Sequence, residues 1–230
     1  MKTKTNYTKK IKTLTIIAIF CAMSFVISLV LPIKVMFLTL DFKDAISTIC
    51  GMFFGPVAGL FCAIVVPFIE FMYSDTGVYG LIMNLLSSVT FVAVSTFIYK
   101  YRKTIWGAVL GLASAVCATV AVMLIANVFI TPYYMGVSQE AVVELLPKLI
   151  LPFNLVKTIL NAGITMLIYK PISQVLKRMG LAKSSKTKKE LTDEEKSNLK
   201  MRSLLVTVLS IFVIIVAFWV VFVVLKGKFA

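Results

Sequence analysis

Long apolar runs separated by short polar segments set the pattern of this chain. A helix that crosses a bilayer needs about 20 predominantly apolar residues, each adding about 1.5 Å. The first such run, from about Ile11 to Leu31, follows a lysine-rich start (Lys2, Lys4, Lys9, Lys10, Lys12). It exceeds the roughly 7–15-residue apolar region of a signal peptide and closes on no small-x-small cleavage pattern, so it reads as a retained helix. Residues 42–73 form a block too long for one span, and Gly55-Pro56 divides it, because proline is tolerated where a helix begins. The pattern predicts a short helix at 44–54 and another at 56–72, then spans at about 78–98, 105–130 and 149–170. The last span, about 203–225, holds no charge from Ser203 to Leu225. Seven membrane segments result, one of them short.

Composition turns this pattern into a class. Of the 230 residues, 60% are hydrophobic and 15% charged, with a mean hydropathy of +0.97. A soluble domain is about 45–50% apolar and about 25% charged. One soluble core cannot hide that excess, so the chain reads as an all-α integral membrane protein, multi-pass in the cell membrane. Disordered chains, secreted disulfide scaffolds and cytosolic enzymes are all disfavoured.

The net charge of +14 would point to nucleic acid in a soluble protein. Here it reads as topology, with no nucleic acid among the expected partners. With the N-terminus cytoplasmic, the inner segments 1–12, 100–103 and 170–202 hold 18 of the 24 Lys+Arg. The outer loops keep Lys34, Lys43 and Lys148, and carry Asp41, Asp44, Glu70, Asp75, Glu140 and Glu144. That asymmetry follows the positive-inside rule. An odd number of segments puts the C-terminus outside, where Lys226 and Lys228 oppose the rule weakly.

Residues 1–178 read as the membrane core, 179–202 as a charged cytoplasmic linker and 203–230 as an extra transmembrane helix with its tail. Thr192 with Glu195 is a capping-box pattern, which predicts a short helix leading into the last span. The linker lysines either touch anionic lipid headgroups, at about 1 kcal/mol per charge, or serve topology and solvation alone.

The chemistry left out is informative. Histidine is absent, which removes the commonest general base and metal ligand. No GxxxxGK[ST] loop or HExxH motif occurs. Cys21, Cys50, Cys62 and Cys117 are isolated within apolar runs and read as small packed hydrophobes. The acidic residues are scattered rather than paired along a helix face. The chain therefore reads as no enzyme, with no metal and no cofactor.

The positive signal is polar side chains at membrane depth. Lys157 lies about two turns inside the 149–170 span, where a lysine costs about 2.5–3.5 kcal/mol on insertion scales. Asn154 at i−3 and Asn161 at i+4 share its helix face. Snorkelling to the interface would explain the lysine but not the flanking asparagines. Asn127 sits near the outer end of the preceding span, ahead of Tyr133-Tyr134, either as an interhelical hydrogen-bonding group or as part of a shared pocket. Phe37 to Asp44 mixes aromatic, alkyl and hydroxyl groups, which suits a flat amphipathic ligand. Asn84, Ser87 and Ser88 form a polar stripe that reads as helix packing. Small residues recur every four positions at Gly107, Gly111, Ala115 and Thr119, which internal packing explains, and at Ala18 and Ala22 on the first helix, where a partner helix could dock.

Together, Leu38-Thr-Leu-Asp41-Phe42, Phe54-Gly-Pro-x-x-Gly59, Asn127 before Tyr133-Tyr134, and Pro152-Phe-Asn-x-x-Lys157 resemble the riboflavin-binding S components of energy-coupling factor (ECF) transporters. Ala18-Ile-Phe-Cys-Ala22 is similar to the AxxxA docking motif of that class. The resemblance covers about residues 11–178. It implies a six-helix vitamin-capture bundle with an outward pocket, to which this chain adds one C-terminal transmembrane helix. It implies that Asn127, Asn154 and Lys157 hydrogen-bond the isoalloxazine ring, and that Leu38, Thr39, Leu40 and Asp41 pack near the ligand. It also implies partners: a transmembrane scaffold subunit, docked through Ala18 and Ala22, and two ATPase subunits. Three functions stay open at this point: capture of riboflavin, capture of another vitamin, and a structural or regulatory role without transport.

Overall fold

A computed structural model describes residues 2–179 apart from 75, and 201, 204, 207, 208, 210–212 and 214–216. Helices dominate: α1 (Lys2–Val30), α2 (Lys43–Phe54), α3 (Pro56–Phe71), α4 (Gly77–Tyr101), α5 (Ile105–Met135), α6 (Gln139–Leu145) and α7 (Leu151–Arg178). Among these residues four helical stretches are long and apolar enough to cross a membrane: Lys10–Val30, Gly77–Tyr101, Ile105–Met135 and Gln139–Leu176. Large apolar side chains such as Leu14, Val57, Phe61 and Phe129 stand exposed on their outer faces, as expected where lipid is the solvent.

The division at Gly55-Pro56 has a physical cause. Gly55 takes φ 104°, which strains any side-chain-bearing residue, and Pro56 opens α3 at its first position. The two helices then cross at backbone contact. A Cβ on Gly59 would stand 2.7 Å from the Gly51 Cα, so the Gly-Pro-x-x-Gly stretch lets α2 lie flat on α3. The stripe Gly107, Gly111, Ala115 and Thr119 is buried on α5, and a Cβ at Gly111 would meet the Ser95 carbonyl of α4.

Two segments depart from the sequence expectation. Residues 31–42, read as a loop, contain a two-stranded antiparallel ribbon, β1 (Ile33–Val35) and β2 (Leu38–Leu40), with Val35 opposite Leu38. Its two-residue turn places Met36 at φ 52°, the positive-φ geometry that tight hairpins favour. Alternation sends Val35 and Leu40 inward onto Leu149, Phe153, Val156 and Leu160 of the α7 region. Residues 131–148, also read as a loop, continue α5 through Pro132 to a left-handed Gly136 cap. Ser138 then caps α6 by accepting from the Ala141 amide, and a π-helical turn, Leu146–Ile150, leads into α7.

The cysteines are not isolated in space. Cys21, Cys50 and Cys62 meet in one buried cluster where α1, α2 and α3 pack, while Cys117 is exposed. The capping pattern at Thr192 and Glu195 and nearly all of the linker lie outside the described residues. Within the described part of the last apolar run, Ser210 is buried and Ile214 packs on the cluster that holds Leu160. A Cβ at Gly163 would stand 2.9 Å from Ile214 Cγ1.

Candidate ligand-binding site

The end of α1, the ribbon, α3, α4, α5 and α7 line a cavity of about 420 Å³. It takes side chains from each, so no single segment of sequence contains it.

From α7, Phe153, Asn154 and Lys157 reach the cavity one turn beyond the π-helical turn, a kind of bulge frequent at functional sites. The Asn154 amide donates to Ile150 O at 2.8 Å. Lys157 does not snorkel: it is 7% exposed, and its ammonium donates to Asp41 Oδ2 at 2.9 Å and to Thr39 O at 3.3 Å. Asn161, one turn further on, faces away from the cavity and braces it. Its Oδ1 accepts from the Ala45 amide at 2.9 Å, and its Nδ2 donates to Asp41 O at 2.9 Å. The first turn of α2 has no side-chain cap of its own, so Asn161 satisfies one of its orphan amides from across the fold.

Asp41 thus stands fixed at both backbone and carboxylate. Burial alone would push its carboxyl up, but the Lys157 and Lys43 ammonium groups outweigh that and hold it below the usual carboxylate range. Lys43 lies 3.6 Å from Asp41 Oδ2 and is 1% exposed. It ion-pairs with Glu70 of α3 and donates to Asn84 Oδ1 of α4 at 2.8 Å. Asn84 in turn donates to Glu70 Oε2. Buried charges persist only when paired and hydrogen-bonded, and here two lysines, two carboxylates and an asparagine bond one another across five segments, with Asp41 Oδ1 left buried and without a hydrogen-bond partner.

The remaining site candidates fall as follows. Leu38, Thr39 and Asp41 line the cavity, whereas Leu40 points into the apolar cluster behind the ribbon. Asn127 also lines it, its amide donating to Met123 O at 2.7 Å and its Oδ1 accepting from Thr131 at 2.8 Å. Ala18 and Ala22 lie elsewhere, exposed on α1 while Cys21 between them is buried.

Sequence reading missed Lys43, Glu70, Asn84 and Ser87. The first two read as outer-loop charges and the others as a packing stripe, yet Glu70, Asn84 and Ser87 line the cavity. The available signal was the position of Lys43 and Glu70 against apolar segments, where an unpaired charge would be costly. Among the described residues no His, Cys, Asp and Glu group is arranged to hold a metal.

Comparison with known proteins agrees with this architecture. The family described as ECF transporter, substrate-specific component, matches residues 12–172. The riboflavin transporter RibU of Staphylococcus aureus (strain TCH60) is 29% identical over 177 residues, 73% of this chain and 94% of that protein. The riboflavin transporter FmnP of Bacillus subtilis (strain 168) is 26% identical over 173 residues, 70% of this chain and 91% of that protein. A solved structure of the S component of a bacterial ECF transporter superposes with a TM-score of 0.64 at 29% identity, over 74% of this chain and 99% of that one. With more than half its length matched to the family and its fold shared with a solved member, the chain belongs to the substrate-specific components of ECF transporters.

Proposed function

We propose that this protein is the subunit that captures riboflavin from outside the cell and delivers it through a separate ATP-driven module. The observation that carries this reading is the cavity of about 420 Å³ onto which Asn127, Asn154 and Lys157 converge from α5 and α7. Small-molecule sites occupy about 300–1,000 Å³ and combine apolar walls with a few placed polar groups. Phe71, Tyr79, Tyr134 and Phe153 supply flat aromatic surface. An isoalloxazine edge alternates acceptors with one N–H, which the lysine and the asparagine amides match by donating and accepting. The two curated relatives named above are riboflavin transporters.

The absence of a phosphate-binding loop from the chain fits a division of labour in which ATPase subunits sit elsewhere. In this reading the outward face of α1 around Ala18 and Ala22 meets the transmembrane scaffold subunit, and the lysine-rich N-terminus lies in the cytoplasm. Riboflavin is cargo rather than cofactor.

Purification in detergent tests the reading directly. The protein should be yellow, or should quench the fluorescence of added riboflavin with saturable binding. Asn154→Leu would leave ligand groups buried and unpaired at about 1–3 kcal/mol, which weakens binding by about 5- to 150-fold. A colourless preparation that takes up no riboflavin removes the reading.

A further inference from the structure

We propose that Asp44, Thr48 and Ser88 form a binding site for one alkali-metal cation between α2 and α4. None of the three lines the ligand cavity, and the inference does not rest on the riboflavin reading.

The two helices bring these side chains together. Asp44 and Thr48 stand one turn apart on α2, and Gly51 continues the same stripe. A Cβ at Gly51 would meet Thr96 Cγ2, so the stripe faces α4. Two turns before Thr96, Ser88 neighbours the Asp44 carboxyl. The helices therefore run side by side in one direction here, and Thr48 falls between those two contacts. Asp44 is 2% exposed, and Thr48 and Ser88 are 0% exposed.

Their oxygens are unsatisfied. Asp44 Oδ1, Thr48 Oγ1 and Ser88 Oγ are buried and have no hydrogen-bond partner, so they do not bond one another either. A helical serine or threonine commonly bonds back to a carbonyl of its own helix. Ser95, Thr96, Thr158 and Thr165 do so. Thr48 and Ser88 forgo that bond although no protein group replaces it. Buried polar atoms normally have partners, and three orphaned oxygens on facing helix surfaces mark the place of a group that accepts lone pairs.

Charge identifies that group. The buried network holds three carboxylates, Asp41, Asp44 and Glu70, but two ammonium groups, Lys43 and Lys157. Lys157 pairs with Asp41 and Lys43 with Asp41 and Glu70, and no ion pair among the described residues includes Asp44. An unpaired buried carboxylate is costly, and the network is one positive charge short. A proton on Asp44 would supply that charge but leave the Thr48 and Ser88 hydroxyls without partners. A water molecule would bond the oxygens but supply no charge. A hard monovalent cation does both, since such ions take oxygen ligands. With a single carboxylate the site differs from the clustered acidic or thiolate sites of divalent metals, of which the described residues have none.

The test uses the detergent-purified full chain, with sodium as the probe and choline as the inert cation at matched ionic strength and without flavin. An ion that binds only the folded state raises the thermal midpoint with its concentration. Sodium should raise the wild-type midpoint saturably, by about 5–10 °C at 100 times its dissociation constant. Asp44→Asn should abolish the response, and the near-isosteric Thr48→Val should need about 10-fold more sodium for the same shift. Equilibrium dialysis with radioactive sodium should find one ion per wild-type chain. A wild-type midpoint equal in sodium and choline would overturn the site, as would one that follows pH but not sodium, which assigns the missing charge to a proton. A sodium response that survives in Asp44→Asn would mark a general salt effect and overturn it too. Should Asp44→Asn fail to fold, the wild-type comparison and Thr48→Val decide the question. No flavin enters the measurement, so its outcome is independent of the riboflavin reading.

Discussion

Lys157 and Asp41 lie 116 residues apart in the chain and meet at 2.9 Å in the interior. Their contact ties the loop that follows the ribbon to the second turn of α7, and it places a lysine ammonium at the cavity wall without leaving it unpaired. The same pair serves fold and site, and the two roles separate in a mutant cycle. Removing one partner of a buried ion pair costs about 3–5 kcal/mol because the other is left as an uncompensated charge. Lys157→Met and Asp41→Asn should each lower the thermal midpoint strongly, whereas the double substitution should recover much of the loss. Riboflavin affinity should not recover, because the donor proposed to read the ring is gone. A double variant that regains binding would move the ring-reading role away from Lys157.

Acid titration isolates the Asp41 contribution. Its folded carboxyl lies below the ordinary value of about 3.9, so the stabilisation is complete above that value and lost as pH falls through the folded one. The gap in thermal midpoint between wild type and Asp41→Asn should stay constant from neutral pH to about pH 5, then close below about pH 4. A gap that closes between pH 7 and pH 5 would show that Asp41 is not held by its lysines.

Substitution on the exposed face of α1 tests whether capture and delivery can be separated. Ala18 and Ala22 border no part of the cavity, so Ala18→Trp with Ala22→Trp should leave binding in detergent unchanged. Bulky side chains on a small-residue face keep partner helices apart, so cellular uptake should be lost. Uptake that persists in the double variant would rule this face out as the docking surface.

Ending the chain at Gly180 tests the division between core and last helix. Among the described residues, those that line the cavity extend no further than Lys157, so riboflavin affinity should remain within a few fold. Gly163, against which Ile214 packs, would be uncovered, and the thermal midpoint should fall through the lost burial. Truncated protein that is monodisperse and cannot bind ligand would make the last helix part of the functional fold.

Much of the architecture was legible because the bilayer constrains sequence so strongly. Runs of about 20 apolar residues, the break at Gly55-Pro56 and the lysine asymmetry follow from backbone hydrogen bonding in lipid and from charge at the membrane surface. The polar face of α7 was legible for the same reason, since Lys157 beside Asn154 is too costly at that depth to be incidental. Periodicity could not locate the ribbon at 33–40, because strands of three residues carry too few alternations, nor the continuation of α5 beyond residue 130 to Met135. The partners of the buried charges lay beyond any local pattern. Asp41, Lys43, Glu70 and Asn84 reside on four segments, and each by itself looks like a loop charge or a packing residue. Sequence by itself determined that this chain spans a membrane, and that polar groups within its apolar helices face inward. Only the tertiary structure decided which charge neutralises which, because pairing depends on where helices cross.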